Sequence, residues 1–203
     1  MPFFQRSLFI FFALFLLVAC ERTAKLPKLS SHDVILAFGD SLTFGTGASP
    51  ETAYPAQLAE HIGRPIINAG VPGETTTDAL ERLPQVLNQY RPKLVLLCLG
   101  GNDMLRQQAA PSIEHNLRAL IKTIQGSNAA VVLIGVPEPK LFGGAPAFYA
   151  DIADELKLPY EGEVFNEVLR NPSLKSDPIH ANAQGYQLVA QRLAALLKSS
   201  GAL

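Results

Sequence analysis

An α/β domain, with a parallel sheet wrapped by helices on both faces, is the fold class this sequence predicts. Three observations predict it. Short apolar runs alternate strictly with amphipathic segments from residue 33 onward, and such alternation builds parallel sheets covered on both sides. The runs are continuously apolar, as in strands buried on both faces. The 203 residues, 48% hydrophobic and 17% charged, suit one ordinary domain plus something short.

The elements follow in order. "DVILAFG" (33–39) is the first strand, "AYPAQLAEHI" (53–62) a helix and "RPIINAG" (64–70) the second strand. "TTTDALERLPQVLNQY" (75–90) is helical, with Pro84 predicting a kink or a break into two pieces. "KLVLLCLGG" (93–101) is the clearest buried strand, and Cys98 within it reads as a small buried hydrophobe. "SIEHNLRALIKTIQ" (112–125) carries Ile113, Leu117, Leu120, Ile121 and Ile124 on one face. "AAVVLIGVP" (129–137) is the fourth strand, 146–157 a helix and 158–164 a weak fifth strand. The last helix follows Asn182, an N-cap residue, with Tyr186, Val189, Ala190, Leu193 and Leu197 as its stripe.

The N-terminus stands apart. Arg6 precedes an apolar stretch, Leu8 to Ala19, shorter than the ~20 residues of a membrane span and suited to a secretory signal. Leu17-Val18-Ala19-Cys20 resembles the bacterial lipoprotein cleavage box, in which the cysteine becomes the lipid-modified first residue. The alternative is a plain signal peptide or anchor helix with an incidental cysteine. On the lipoprotein reading residues 1–19 are the signal, 20–32 a lipidated Cys20 with a polar tether, and 33–200 the domain. Lipid on Cys20 leaves Cys98 without a disulfide partner. Glu21, rather than an aspartate, after the cysteine points to the outer membrane, with the domain facing the periplasm.

Other classes are excluded. A formal net charge of −1 without long like-charge runs argues against nucleic acid. There is no HExxH and no Cys/His cluster at metal spacing, so no metal is expected. Nothing calls for an obligate protein partner.

Ligands of parallel sheets bind beyond the carboxyl ends of the strands, so the polar residues there are the site candidates. Ser41 follows the first strand in "LAFGDSLTFG", where it is either a turn residue or a nucleophile whose own N–H helps hold an oxyanion. Position 43 is threonine, so the G-x-S-x-G elbow is absent. Of the four histidines, His32 lies in the tether and His61 and His115 in helices, whereas His180 lies in the loop "SDPIHANAQG". Asp177, three residues earlier, is spaced to reach its Nδ1, or else Asp177-Pro178 only turns the chain. Asn102, after two glycines, offers a side-chain donor, and Gly73 in "NAGVPGET" an unobstructed N–H; loop punctuation is the alternative for both.

Together "GDSL" (39–42), "NAGVPGET" (68–75), "GGND" (100–103) and "DPIH" (177–180) resemble the GDSL or SGNH hydrolases, in that family's order. The resemblance implies Ser41 as nucleophile, His180 as base and Asp177 as its orienting partner. It implies an oxyanion hole of the Ser41 N–H, the Gly73 N–H and Asn102. Gly70 is the weaker glycine, because the family's glycine precedes a charged residue and then Ser or Thr, as Gly73-Glu74-Thr75 does. Asp40 and Asp103 are assigned to orienting loops. The nearest branch, the small bacterial thioesterases, lysophospholipases and arylesterases, implies a single three-layer α/β/α domain with a flavodoxin-like parallel sheet, here of about five strands, and no cofactor. Two departures stand out: Pro178 replaces a common small residue, and Ala181 stands where proline is frequent. Pro178 bears on the angle from Asp177 to His180.

The expected function is a lipid-anchored envelope enzyme hydrolysing carboxylic esters, including thioesters or lysophospholipid-like esters, through an acyl-enzyme on Ser41. Its rivals are a polysaccharide O-acetyl esterase and a non-enzymatic binding lipoprotein. The non-enzyme reading is favoured by loss of a block, and none is lost. Residues 137–149, "PEPKLFGGAPAFY", read equally as a flap lining the acyl site or as a surface connection with Leu141 and Phe142 tucked onto the core.

Overall fold

The computed structural model describes residues 24–139 and 143–203; the signal segment with Cys20, and Leu141 and Phe142, lie outside the described residues. Five parallel strands form the sheet: β1 (Ile35–Gly39), β2 (Ile66–Gly70), β3 (Leu94–Cys98), β4 (Ala130–Ile134) and β5 (Tyr160–Glu161). Their spatial order is β2-β1-β3-β4-β5, the flavodoxin-like order. The inner strands β1 and β3 are buried at every residue, which is why ILAFG and LVLLC carry no charge.

Among the described residues eight α-helices connect and cover the strands: α1 (Ser41–Phe44), α2 (Tyr54–Ile62), α3 (Thr76–Tyr90), α4 (Gly101–Leu105), α5 (Ala110–Gly126), α6 (Ala147–Leu156), α7 (Val164–Arg170) and α8 (Ala183–Ser199). α2 packs with α8 and α3 with α5, giving the outer layers. The α5 stripe of Ile113, Leu117, Leu120, Ile121 and Ile124 is buried as its spacing predicts. Asn182 caps α8, its side chain accepting from the Gly185 N–H at 3.0 Å.

Four readings are corrected. The break at Pro84 is absent: α3 runs on through it, with Leu83, Val86 and Leu87 on either side buried against the core where the turn lacks its N–H donor. The weak strand at 158–164 shrinks to Tyr160–Glu161, and α7 starts at Val164. Residues 99–101 leave the third strand, since Gly100 turns the chain at φ 114° into α4. The polar segment before residue 33 is not wholly a tether. Leu29 is buried, and the Leu26 and Leu29 N–H groups donate to the Ser200 and Ala202 carbonyls at 2.9 Å.

Candidate active site

Four segments at the carboxyl edge of the sheet bring the candidates together. β1 feeds directly into α1, so Ser41 is the first helical residue and its N–H points out of the helix start. Asp40 caps this short helix, its Oδ1 accepting from the Leu42 N–H at 3.0 Å. The loop after α1 is drawn against the histidine loop. A side chain at Gly47 would collide with Ser176 and the Ala181 carbonyl, and the Tyr186 hydroxyl donates to the Thr46 carbonyl at 2.8 Å.

The histidine loop closes on itself. Lys175 and Ala181 bridge antiparallel, and the Ser176 N–H donates to the His180 carbonyl at 3.0 Å. Within it, Asp177 Oδ1 accepts the N–H groups of Ile179 and His180, both at 2.9 Å. Its Oδ2 lies 2.7 Å from His180 Nδ1, and His180 Nε2 lies 3.0 Å from Ser41 Oγ. Pro178 leaves this geometry intact: it has no N–H of its own, and the next two N–H groups hold the carboxylate. Burial acts to raise the Asp177 carboxyl, but the Ile179 N–H and the His180 ring and N–H outweigh it and hold Asp177 below the ordinary carboxylate value. An ionised Asp177 accepts from Nδ1–H, which leaves Nε2 free to accept from the Ser41 hydroxyl.

Gly73 and Asn102 approach from the second and third strands, and both line the same cleft as Ser41 and His180. Gly73 adopts φ 82°, the left-handed region that glycine enters without penalty. Among the described residues no protein acceptor meets the N–H of Ser41 or of Gly73. Gly70 is different: its N–H already donates to Asn68 Oδ1 at 3.0 Å, and a Cβ there would sit 2.2 Å from the Phe44 nitrogen. It is a packing glycine. Asn102 Nδ2 donates to the Glu74 carbonyl at 3.0 Å and faces Asp40 Oδ2 at 3.4 Å. The site therefore holds two unclaimed backbone donors and a side-chain amide oriented from behind.

Behind the amide lie three carboxyls. Asp103 is fully buried and takes the Thr76 N–H at 2.9 Å and hydroxyl at 2.6 Å, tying α4 to the start of α3. Glu74 is clamped by Arg82 through two bonds of 2.6 and 2.7 Å, and the guanidinium lies 4.2 Å over the Phe38 ring. Among the described residues Asp40 has no such cationic partner. Burial pushes its carboxyl up to about 7, against the pull of the Leu42 N–H and with help from the charges of Glu74 and Asp103. Sequence reasoning missed the Glu74–Arg82 pair, since residues eight apart follow no local pairing rule.

The cleft measures about 730 Å³. Leu105, Val136, Leu169 and Ile179 form apolar walls, and Glu138, Arg170 and Lys175 lie on its border. Pro137, Glu138, Pro139 and Gly143 line it too, so the described part of the 137–149 loop borders the site. His61 and His115 are exposed on α2 and α5, and His32 is exposed before β1; none joins the cleft. Among the described residues no group of three or more His, Cys, Asp or Glu is placed to hold a metal ion.

A serine, an imidazole and a carboxylate in hydrogen-bonded line, beside free backbone donors on a parallel α/β sheet, define a serine hydrolase. The chain belongs to the GDSL-like Lipase/Acylhydrolase family, whose pattern matches residues 37–188, and it is an ester-cleaving member of that class. It is 31% identical over 179 residues to thioesterase 1/protease 1/lysophospholipase L1 of Escherichia coli K12, covering 84% of this chain and 86% of that protein. It is 30% identical over 175 residues to an arylesterase of Vibrio mimicus, covering 81% and 88%. Its fold matches the psychrotrophic esterase EstA from Pseudoalteromonas sp., solved inhibited by monoethylphosphonate, with TM-score 0.71 and 27% identity over 82% of this chain and 97% of that one.

Proposed function

We propose that this protein is an envelope enzyme that cleaves aryl and short-to-medium acyl esters, with thioesters and lysophospholipids in its range, through an acyl-enzyme on Ser41. The observation that carries the reading is the line from Ser41 Oγ to His180 Nε2 at 3.0 Å and from His180 Nδ1 to Asp177 at 2.7 Å. His180 takes the hydroxyl proton as Ser41 Oγ attacks the carbonyl carbon, and Asp177 stabilises the imidazolium. The oxyanion is received by the N–H groups of Ser41 and Gly73 and by Asn102 Nδ2. Collapse returns the proton to the leaving alcohol or thiol; water, activated by the same imidazole, then frees the acid. The apolar walls suit an acyl chain. The E. coli and Vibrio relatives, named for thioester, lysophospholipid and aryl-ester cleavage, support this substrate class.

The same proposal places lipid on Cys20, which anchors the domain at a membrane facing the periplasm, with the outer membrane preferred. The apolar run ending at Ala19-Cys20 supports it. No helix of the described residues is long and apolar enough to cross a membrane.

Turnover of aryl esters of graded acyl length by purified protein tests the activity, with rates expected to stay high beyond acetate. Strict acetate preference would instead favour a polysaccharide O-acetyl esterase. Labelled palmitate in cells tests the anchor: wild type should take it up and Cys20→Ser should not.

A further inference from the structure

We propose that, when the chain is held at a membrane by its N-terminal segment, the cleft opens away from that leaflet and draws its ester from the aqueous side. The inference rests on the anchoring proposed above and adds an orientation to it. It follows from the two ends of the sheet.

The cleft is at the carboxyl edge: Ser41 follows β1, Gly73 follows β2, Asn102 follows β3, and His180 precedes α8. The N-terminal segment is fixed at the opposite edge. Leu26 and Leu29 bond to Ser200 and Ala202 beyond the far end of α8, and Lys25 Nζ donates to the Ser199 carbonyl at 3.2 Å. Arg64, two residues ahead of β2, donates to the Leu29 carbonyl at 3.0 Å. Leu29 is buried there, so the attachment is part of the folded domain.

The length of α8 separates the two ends. Its 17 residues span about 25 Å at the helical rise of ~1.5 Å per residue. From Cys20 to the pinned Leu26 the chain advances six residues, or at most about 20 Å even fully extended. Turning the cleft down onto the leaflet requires Leu26 to stand higher than that. An uncleaved apolar segment ending at Ala19 changes the reach by one residue.

The exposed large hydrophobics Phe44, Val71, Leu105 and Ile179 each stand within three residues of Ser41, Gly73, Asn102 or His180. Leu105 and Ile179 line the cleft itself, at the edge opposite the anchored end, where they meet the acyl part of a monomeric or micellar ester.

The test is the distance of each end from the bilayer, read without reference to turnover. Full-length lipidated protein, carrying a dye at Lys28→Cys or at Leu105→Cys, is reconstituted into phosphatidylcholine vesicles containing a headgroup acceptor dye. Cys98 is buried and stays unlabelled. Energy transfer should be several-fold stronger from position 28 than from position 105, and a flexible Gly/Ser insert of about 30 residues after Glu21 should largely remove the difference. Equal or reversed transfer with the native segment overturns the proposal, as does an unchanged difference with the insert. If the wild-type chain carries no lipid on Cys20 and does not float with vesicles, the anchor and this orientation fall together. Loss of esterase activity is a separate result and bears only on the chemistry.

Discussion

The two oxygens of Asp177 hold His180 in two different ways: Oδ1 takes the Ile179 and His180 N–H groups at 2.9 Å, and Oδ2 takes the ring nitrogen Nδ1 at 2.7 Å. The first contact shapes the loop and the second selects the tautomer. An amide separates them. Asp177→Asn keeps an oxygen for the backbone but offers N–H to Nδ1, which leaves Nε2 protonated and unable to accept from Ser41. The expected loss is about 10⁴ in kcat with little change in melting temperature. Asp177→Ala should lose the same activity and also melt earlier. Kinetics and calorimetry on both variants check this; an Asn variant near wild-type turnover would mean that the carboxylate serves the loop alone.

Asn102 is expected to matter to the transition state more than to substrate binding. Asn102→Ala should lower kcat by about 10²–10³, or roughly 3–4 kcal/mol, and leave KM nearly unchanged. Because the amide also donates to the Glu74 carbonyl at 3.0 Å, the variant should lose about 1 kcal/mol of stability as well. Asn102→Asp should be slower still, since a carboxylate would face the oxyanion. If Asn102→Ala melts earlier yet turns over normally, the amide is a structural bond and not an oxyanion donor.

The two glycines of "NAGVPGET" should respond differently to alanine. At Gly73 a Cβ has nothing within 4 Å, so Gly73→Ala meets only the strain of φ 82°, about 1–2 kcal/mol, while the tilted N–H lowers kcat. At Gly70 the Cβ would meet the Phe44 backbone at 2.2 Å, so Gly70→Ala should destabilise the fold much more. Melting curves normalised to active enzyme distinguish them, and the reverse order would reassign the oxyanion glycine.

Asp40 should make stability depend on pH. Its carboxyl is raised to about 7 in the folded protein, above its unfolded value. A group raised by folding contributes stability that is fully present below its unfolded pKa and lost as pH rises through the folded one. Stability should therefore fall between about pH 4 and 7, on the order of 3–4 kcal/mol from this residue. Asp40→Asn, which still accepts from the Leu42 N–H, should flatten that slope. Denaturant titrations across this range measure it; equal slopes in both proteins would mean that Asp40 is ionised throughout.

Much of the fold was legible because buried strands are written as apolar runs: ILAFG and LVLLC read the same in sequence and in space. The site was legible as residue types at strand ends. What escaped was short or non-local. α7 has seven residues, too few turns for a period to emerge, and β5 has two. Leu29 is one apolar residue in a polar stretch, and its burial depends on the end of α8, far along the chain. The raised Asp40 carboxyl depends first on its burial in the packed fold and then on the charges of Glu74 and Asp103, which lie far from it along the chain. No window along the chain contains that arrangement.

The central claim is that Ser41 is the nucleophile, and covalent labelling tests it most directly. A fluorophosphonate should add once per chain, with the mass on the peptide containing Ser41. Ser41→Ala should take no label and lose several orders of magnitude in kcat at an unchanged melting temperature. His180→Ala should fall as far, and the double variant little further, because the two residues act as a unit. Labelling at another serine, or ester turnover retained by Ser41→Ala, would contradict the account.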